Sequence, residues 1–324
     1  MKKGVKNSLI GSGIAVAGLG AIAATSYIIT GKLLKMAMDR EEPEKLVKRK
    51  EKIKGSEGLA EFSEKISEAA KGLESRDLEE IRIASHDDIS LVGHWWPCKN
   101  AKRIIIAMHG WRSSWAQDFG TVADFWHENN CNVLFAEQRA QNNSEGEYMG
   151  FGLLERYDCL EWIKWVNEKT GGKCPIYLCG VSMGATTVLM AAGLELPGNV
   201  CGIVADSGFT SPHAIWKHVM NKNLHMSYGL HGAIANDMCK KRINMGTKEY
   251  STLVAMERCK VPVMFVHGTE DHFVPVEMTY ENYKACAAPK RLLIVPGADH
   301  CMNYYMNKEA YEKAIKDFWQ EYDI

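Results

Sequence analysis

From residue 81 onward, short apolar runs alternate with helix-prone stretches, and this rhythm predicts an α/β fold with a mostly parallel sheet covered on both faces. Ile81 to Ala84 and Ile89 to Trp96 predict an opening hairpin. Further strands are expected near 103, 132, 175, 200, 262 and 291, eight in all, with helices near 116–129, 151–169, 184–193, 277–287 and 303–321 filling the gaps. One interval breaks the rhythm. Residues 207–260 hold no credible core strand although a crossover needs only about a dozen residues, so this stretch is expected to be a helical cap.

The N-terminal part has a different pattern. Leu9 to Thr30 contains no charged residue and follows Lys2, Lys3 and Lys6, which predicts a membrane anchor over residues 1–31, with a cleaved signal peptide as the rival. Within this run Gly18-Leu19-Gly20-Ala21-Ile22-Ala23 matches a dinucleotide fingerprint, but no βαβ unit follows it. Residues 32–80 alternate charges with sparse apolar positions such as Phe62, Ile66 and Leu73, and carry Pro43, Gly55 and Gly58. They read as broken, solvated helices linking the anchor to a domain over 81–324.

Composition narrows the partners. The 39 Lys and Arg nearly cancel the 40 Asp and Glu, so no electrostatic case for nucleic acid exists. The ten cysteines are scattered without a C-x-x-C pair and read as structural thiols rather than a disulfide framework. Four histidines in the predicted cap, His213, His218, His225 and His231, fit no metal spacing, and no metal or organic cofactor is implied.

The chemistry is concentrated after strand ends. Gly180-Val181-Ser182-Met183-Gly184 follows the apolar run Ile176 to Cys179 and precedes a helix-prone segment, which reads as a nucleophile elbow around Ser182. A serine hydroxyl needs a histidine to take its proton and a carboxylate to hold that histidine. Val261 to Val266 ends in a loop carrying Asp271, and Arg291 to Val295 ends in Gly297-Ala298-Asp299-His300. Glu270 and Asp206 are rivals of Asp271 for the acid. The first oxyanion donor is expected from the Met183 amide, and the second from the Trp111 amide after the strand 103–108. The Trp111 and Trp115 rings are either acyl-pocket walls or ordinary packing, and His109 and His267 read as loop-packing residues.

On these pieces the chain resembles the α/β-hydrolase family, and within it the single-chain serine hydrolases with a cap after strand six. The resemblance spans roughly residues 81–322 and rests on His109-Gly110-Trp111, Arg139 through Gly146, the elbow, the loop around Asp271 and Gly297-Ala298-Asp299-His300. One piece departs. Where many relatives carry Asp-x-Arg-Gly-His-Gly-x-Ser, this chain has Glu137-Gln138-Arg139-Ala140-Gln141-Asn142-Asn143-Ser144, which weakens any choice of substrate. The resemblance implies an eight-stranded α/β-hydrolase fold with Ser182, His300 and Asp271 as its triad. A small-molecule acyl ester is the expected substrate because its alkoxide leaves more readily than an amine, while the resemblance leaves peptidase and thioesterase activity open and a non-catalytic, membrane-tethered binding scaffold stands beside them.

Overall fold

A computed structural model describes residues 22–44 and 60–323. Eight strands form one sheet: β1 (Glu79–Ala84), β2 (Ser90–Trp96), β3 (Arg103–Met108), β4 (Cys131–Ala136), β5 (Ile176–Val181), β6 (Val200–Asp206), β7 (Val263–Gly268) and β8 (Lys290–Val295). Their spatial order is β1-β2-β4-β3-β5-β6-β7-β8. β1 pairs antiparallel with β2, β2 pairs antiparallel with β4, and all later neighbours are parallel. The expected eight-stranded, mostly parallel α/β sheet is therefore present.

Alternation along the central strands builds two cores from one sheet. In β3, Ile104, Ile106 and Met108 face one cluster, while Ile105 and Ala107 face the other. β4 and β7 divide in the same way, Leu134 against Phe135 and Phe265 against Met264. Twelve described helices complete the chain. α1 runs over 22–38, followed by α2 (Ala60–Glu74), α3 (Trp115–Phe119), α4 (Ala123–Glu128), α5 (Glu155–Thr170) and α6 (Met183–Ala191). α7 (Pro212–His218), α8 (Tyr228–Ile243) and α9 (Thr252–Arg258) lie between β6 and β7, with a π-helical turn at Val219–Asn223. α10 (Val276–Ala285), α11 (Asn303–Met306) and α12 (Lys308–Tyr322) close the fold. α5, α6 and α9 cover the first core, and α2, α3, α4 and α12 cover the second.

The N-terminal part differs from the expectation of solvated helices over 32–80. Ala70 and Leu73 of α2 are buried against Trp115 and Phe119, and Leu34 and Met38 of α1 join a third apolar cluster with residues of α6, α7 and α8. The reason is local amphipathicity: small apolar stripes within a charged stretch suffice to dock a helix when a matching face is waiting. The expected anchor over 1–31 lies mostly outside the described residues. In its described part, Ser26 and Thr30 are buried, and the Thr30 hydroxyl pairs with His231 Nδ1 at 2.7 Å. Among the described residues no helix is long and apolar enough to cross a membrane.

Candidate active site

The loops after β3, β5, β7 and β8 converge at the carboxyl edge of the sheet, where open α/β sheets hold their ligands. The turn from β5 into α6 is the tightest of these connections. Ser182 sits there with φ 54° and ψ −114°, a strained conformation that persists only when its surroundings enforce it. Both flanking glycines are required by space. A Cβ on Gly180 would lie 2.3 Å from the Gly184 carbonyl, and one on Gly184 would lie 1.8 Å from the Met108 carbonyl oxygen. The serine amide is fixed by the Asp206 carbonyl at 2.8 Å.

His300 bridges the two remaining loops. Its Nε2 lies 2.9 Å from Ser182 Oγ, and its Nδ1 lies 2.7 Å from Asp271 Oδ2. The Asp271 side chain is wholly buried. Its Oδ1 accepts from the amides of Phe273 (3.0 Å) and Val274 (2.8 Å), which aims Oδ2 at the imidazole. Burial pushes the Asp271 carboxyl up, but hydrogen bonds from His267 and His300, with the Val274 amide, outweigh it and hold the group well below the usual carboxylate range. The structure thus brings Ser182, Asp271 and His300 together, whereas Asp206 is taken up by Asn303 Nδ2 (2.6 Å) and the Ser207 hydroxyl (2.9 Å).

Sequence reasoning treated His267 as packing, and its placement says more. Its Nε2 lies 3.0 Å from Asp271 Oδ2 and 2.9 Å from the Val274 carbonyl, both pure acceptors, so Nε2 carries the proton. Nδ1 then accepts from the Thr279 hydroxyl at 2.6 Å. A second imidazole therefore steadies the carboxylate from behind. Only the spacing His267-x-x-x-Asp271 hinted at this, and nothing in the sequence singled out Thr279.

The expected oxyanion donors are the amides of Met183, next to the serine in the chain, and of Trp111, in the loop after β3. Met183 opens α6, so no intrahelical carbonyl can take its amide. Among the described residues no backbone carbonyl takes the Trp111 amide. The loop carrying Trp111 passes close to the nucleophile, since a Cβ on Gly110 would stand 3.3 Å from the Ser182 Cβ. Asp118 accepts from the Gly110 amide at 2.6 Å and holds that loop down. The rings differ: Trp115 is buried and stacks on His94 with centroids 4.2 Å apart, while Trp111 is only half-buried and lies beside Phe151. His109 is buried. Its Nδ1 donates to the Gly110 carbonyl at 2.8 Å and its Nε2 accepts from the Gln138 amide at 3.0 Å.

The segment that departs from the family pattern supports these loops from the rear. Arg139 makes a bidentate pair with Asp158, 2.6 Å from each oxygen, and reaches Asp87 at 2.9 Å. Arg139 and Asp158 are each at most 3 % exposed at the side chain. Removing the cation strands a buried carboxylate, so Arg139→Met is expected to lower stability by about 3–5 kcal/mol, read by urea denaturation. A loss under about 1 kcal/mol would mean that the pair is not sealed from water.

Fold and site together define a class: the chain has an α/β-hydrolase fold. More narrowly, the family model described as serine aminopeptidase, S33, matches residues 99–244. The Bacillus subtilis protein YqkD is 29 % identical over 191 residues, which are 58 % of this chain and 61 % of that relative, so the match spans under two thirds of its length. The Escherichia coli K12 protein YfhR is 23 % identical over 249 residues, 74 % of this chain and 80 % of its own. Among solved structures, a Pyrococcus furiosus esterase superposes with a TM-score of 0.64 at 23 % identity, covering 78 % of this chain and 94 % of that one. A Pyrococcus horikoshii acylaminoacyl peptidase superposes at 0.57 with 14 % identity, covering 76 % of this chain and 42 % of its own.

Proposed function

We propose that this hydrolase cleaves carboxylic esters through an acyl-enzyme on Ser182. The observation that carries the reading is the continuous relay from Ser182 Oγ to His300 Nε2 at 2.9 Å and from His300 Nδ1 to Asp271 Oδ2 at 2.7 Å. His300 takes the Ser182 proton as the oxygen attacks the ester carbonyl. The tetrahedral oxyanion is held by the Trp111 and Met183 amides, and His300 returns the proton to the departing alkoxide. Water then attacks the acyl-enzyme with His300 as base. Asp271 keeps the proton on Nδ1 throughout and stabilises the imidazolium.

An ester is favoured because its alkoxide leaves more readily than an amine. An aminopeptidase would also need a carboxylate free to hold the substrate's α-ammonium group. Three acids near the relay are already committed: Asp118 to Gly110 and Ser113, Asp206 to Asn303 and Ser207, Asp299 to the His272 and His300 amides. The helices between β6 and β7 serve as the cap in this reading, since Ile215, Trp216 and Tyr228 share an apolar cluster with Met183.

The test pairs labelling with turnover. A serine-directed fluorophosphonate is expected to label the wild type and not Ser182→Ala, and acyl nitrophenyl esters are expected to turn over much faster than aminoacyl anilides. Turnover of the anilides alone would replace the esterase reading with a peptidase. A wild type that neither labels nor turns over either substrate would leave a binding scaffold.

A further inference from the structure

We propose that α1 is a working part of the oxyanion hole, coupled to it by Arg112, so that undocking this helix slows the chemical step. The proposal rests on the serine-hydrolase reading above.

The C-terminal end of a helix leaves carbonyls without intrahelical partners and carries partial negative charge. In α1 these carbonyls are taken by the loop that holds the Trp111 amide. Trp111 Nε1 donates to the Ala37 carbonyl at 2.8 Å. The Arg112 guanidinium donates to the Met36 carbonyl through Nε and Nη2, at 3.1 and 3.0 Å, and to the Asp39 carbonyl at 2.6 Å. A cation that grips several terminal carbonyls suits this end of a helix. Two consecutive loop residues thus hold α1 by its final turn.

The loop needs such a hold. Arg112 adopts φ 50°, a left-handed conformation that costs a side-chain-bearing residue on the order of 1 kcal/mol or more and persists where its surroundings over-determine it. On one side its amide donates to Gln141 Oε1 at 2.5 Å, and on the other its side chain is anchored on α1. The Trp111 amide lies one peptide away, so its direction is set by the same two anchors.

The same end of α1 is also held by other parts of the fold, which makes it a firm support. The Met149 amide donates to the Met38 carbonyl at 2.7 Å, the Arg40 amide to the Glu147 carbonyl at 2.9 Å, and Arg242 of α8 reaches Asp39 at 3.4 Å. Leu34 and Met38 are buried in the apolar cluster that contains Met183, the residue expected to supply the other oxyanion amide. The cluster that seats α1 therefore also holds the residue expected to supply the other donor. A shift of about 1 Å in an aligned donor can cost on the order of a hundredfold in rate.

Arg112 acts through Trp111 and is a positioning residue. In the full-length chain, Arg112→Gln and a Leu34→Glu/Met38→Glu pair that undocks α1 are each expected to lower kcat for a short soluble nitrophenyl ester about 10- to 100-fold, with KM changed less than about twofold. The two lesions combined are expected to do no more than the larger alone, because both act on one coupling. Arg112→Lys should recover part of the loss. Trp111→Phe, which removes one donor and leaves the helix face intact, should lower kcat several-fold and guards against misfolding of the α1 pair. Unchanged kcat in Trp111→Phe and Arg112→Gln overturns the proposal, as do fully multiplicative losses. A wild type that fails to label or turn over instead overturns the serine-hydrolase reading beneath it.

Discussion

Ser182→Ala is expected to lower kcat on a nitrophenyl ester by about 10⁵- to 10⁶-fold, and adding His300→Ala is expected to change little further. The two side chains form one device. Without the Ser182 oxygen, His300 has no proton to remove, and without the imidazole 2.9 Å away that oxygen remains a neutral alcohol. A residual acceleration of about 10³- to 10⁴-fold over water is expected to survive in both variants, because the backbone amides of Trp111 and Met183 do not depend on either side chain. The measurement is kcat at saturating ester, with enzyme concentration set by absorbance and the uncatalysed rate subtracted. Losses that multiply between the two positions would show that serine and histidine work independently, and the acyl-enzyme mechanism would fall.

The elements that are specified locally were the legible ones. Gly180 and Gly184 mark the elbow because the turn itself excludes any Cβ at both positions, and the requirement is written within five residues. The strands were readable for a similar reason. β3, β4 and β7 each have a strand on both sides and are nearly all buried, so each is a short apolar run bounded by polar turns. Asp271 and His300 follow from the same logic, as polar residues just beyond two such runs.

What escaped depends on distant partners. Ser26, Thr30, Leu34 and Met38 recur at every fourth position and are buried along one face of α1, yet two of the four are polar and the stripe is narrow. Its value comes from the helices between β6 and β7 and from Arg112, roughly 70 residues or more away in sequence, which no local window contains. α2 is a milder case. Phe62, Ile66 and Leu73 fall at helical spacing, but the surrounding charges pointed to a solvated tether, and only the receiving surface of α3 reveals the docked face. His267 escaped because its role is set by the Val274 carbonyl and the Thr279 hydroxyl, and hydrogen-bond direction leaves no mark on spacing.

Hydrogen-bond direction also sets the size of the last effect. Asp271→Asn is expected to lower kcat by about 10⁴-fold while leaving the fold intact, and the reason is the tautomer of His300. In the wild type both Asp271 oxygens accept, Oδ1 from two backbone amides and Oδ2 from His300 and His267. An asparagine must keep its carbonyl oxygen toward the Phe273 and Val274 amides, since turning the amide group there would set donors against donors. Its NH2 then faces His300 Nδ1, which becomes an acceptor, and the ring proton moves to Nε2. That proton points at Ser182 Oγ, so the base has no lone pair where the hydroxyl proton must go. The same substitution alters the acid response of the fold. The Asp271 carboxyl is held below its ordinary value, so its contribution to stability is complete above about pH 4 and is lost as the pH falls further, toward protonation in the native state. Denaturation profiles of the wild type should therefore weaken more steeply on acidification than those of Asp271→Asn, while fluorophosphonate labelling of the variant slows in parallel with kcat. Retention of activity within about tenfold of the wild type would mean that another group orients His300, and the role given to the buried carboxylate would be withdrawn.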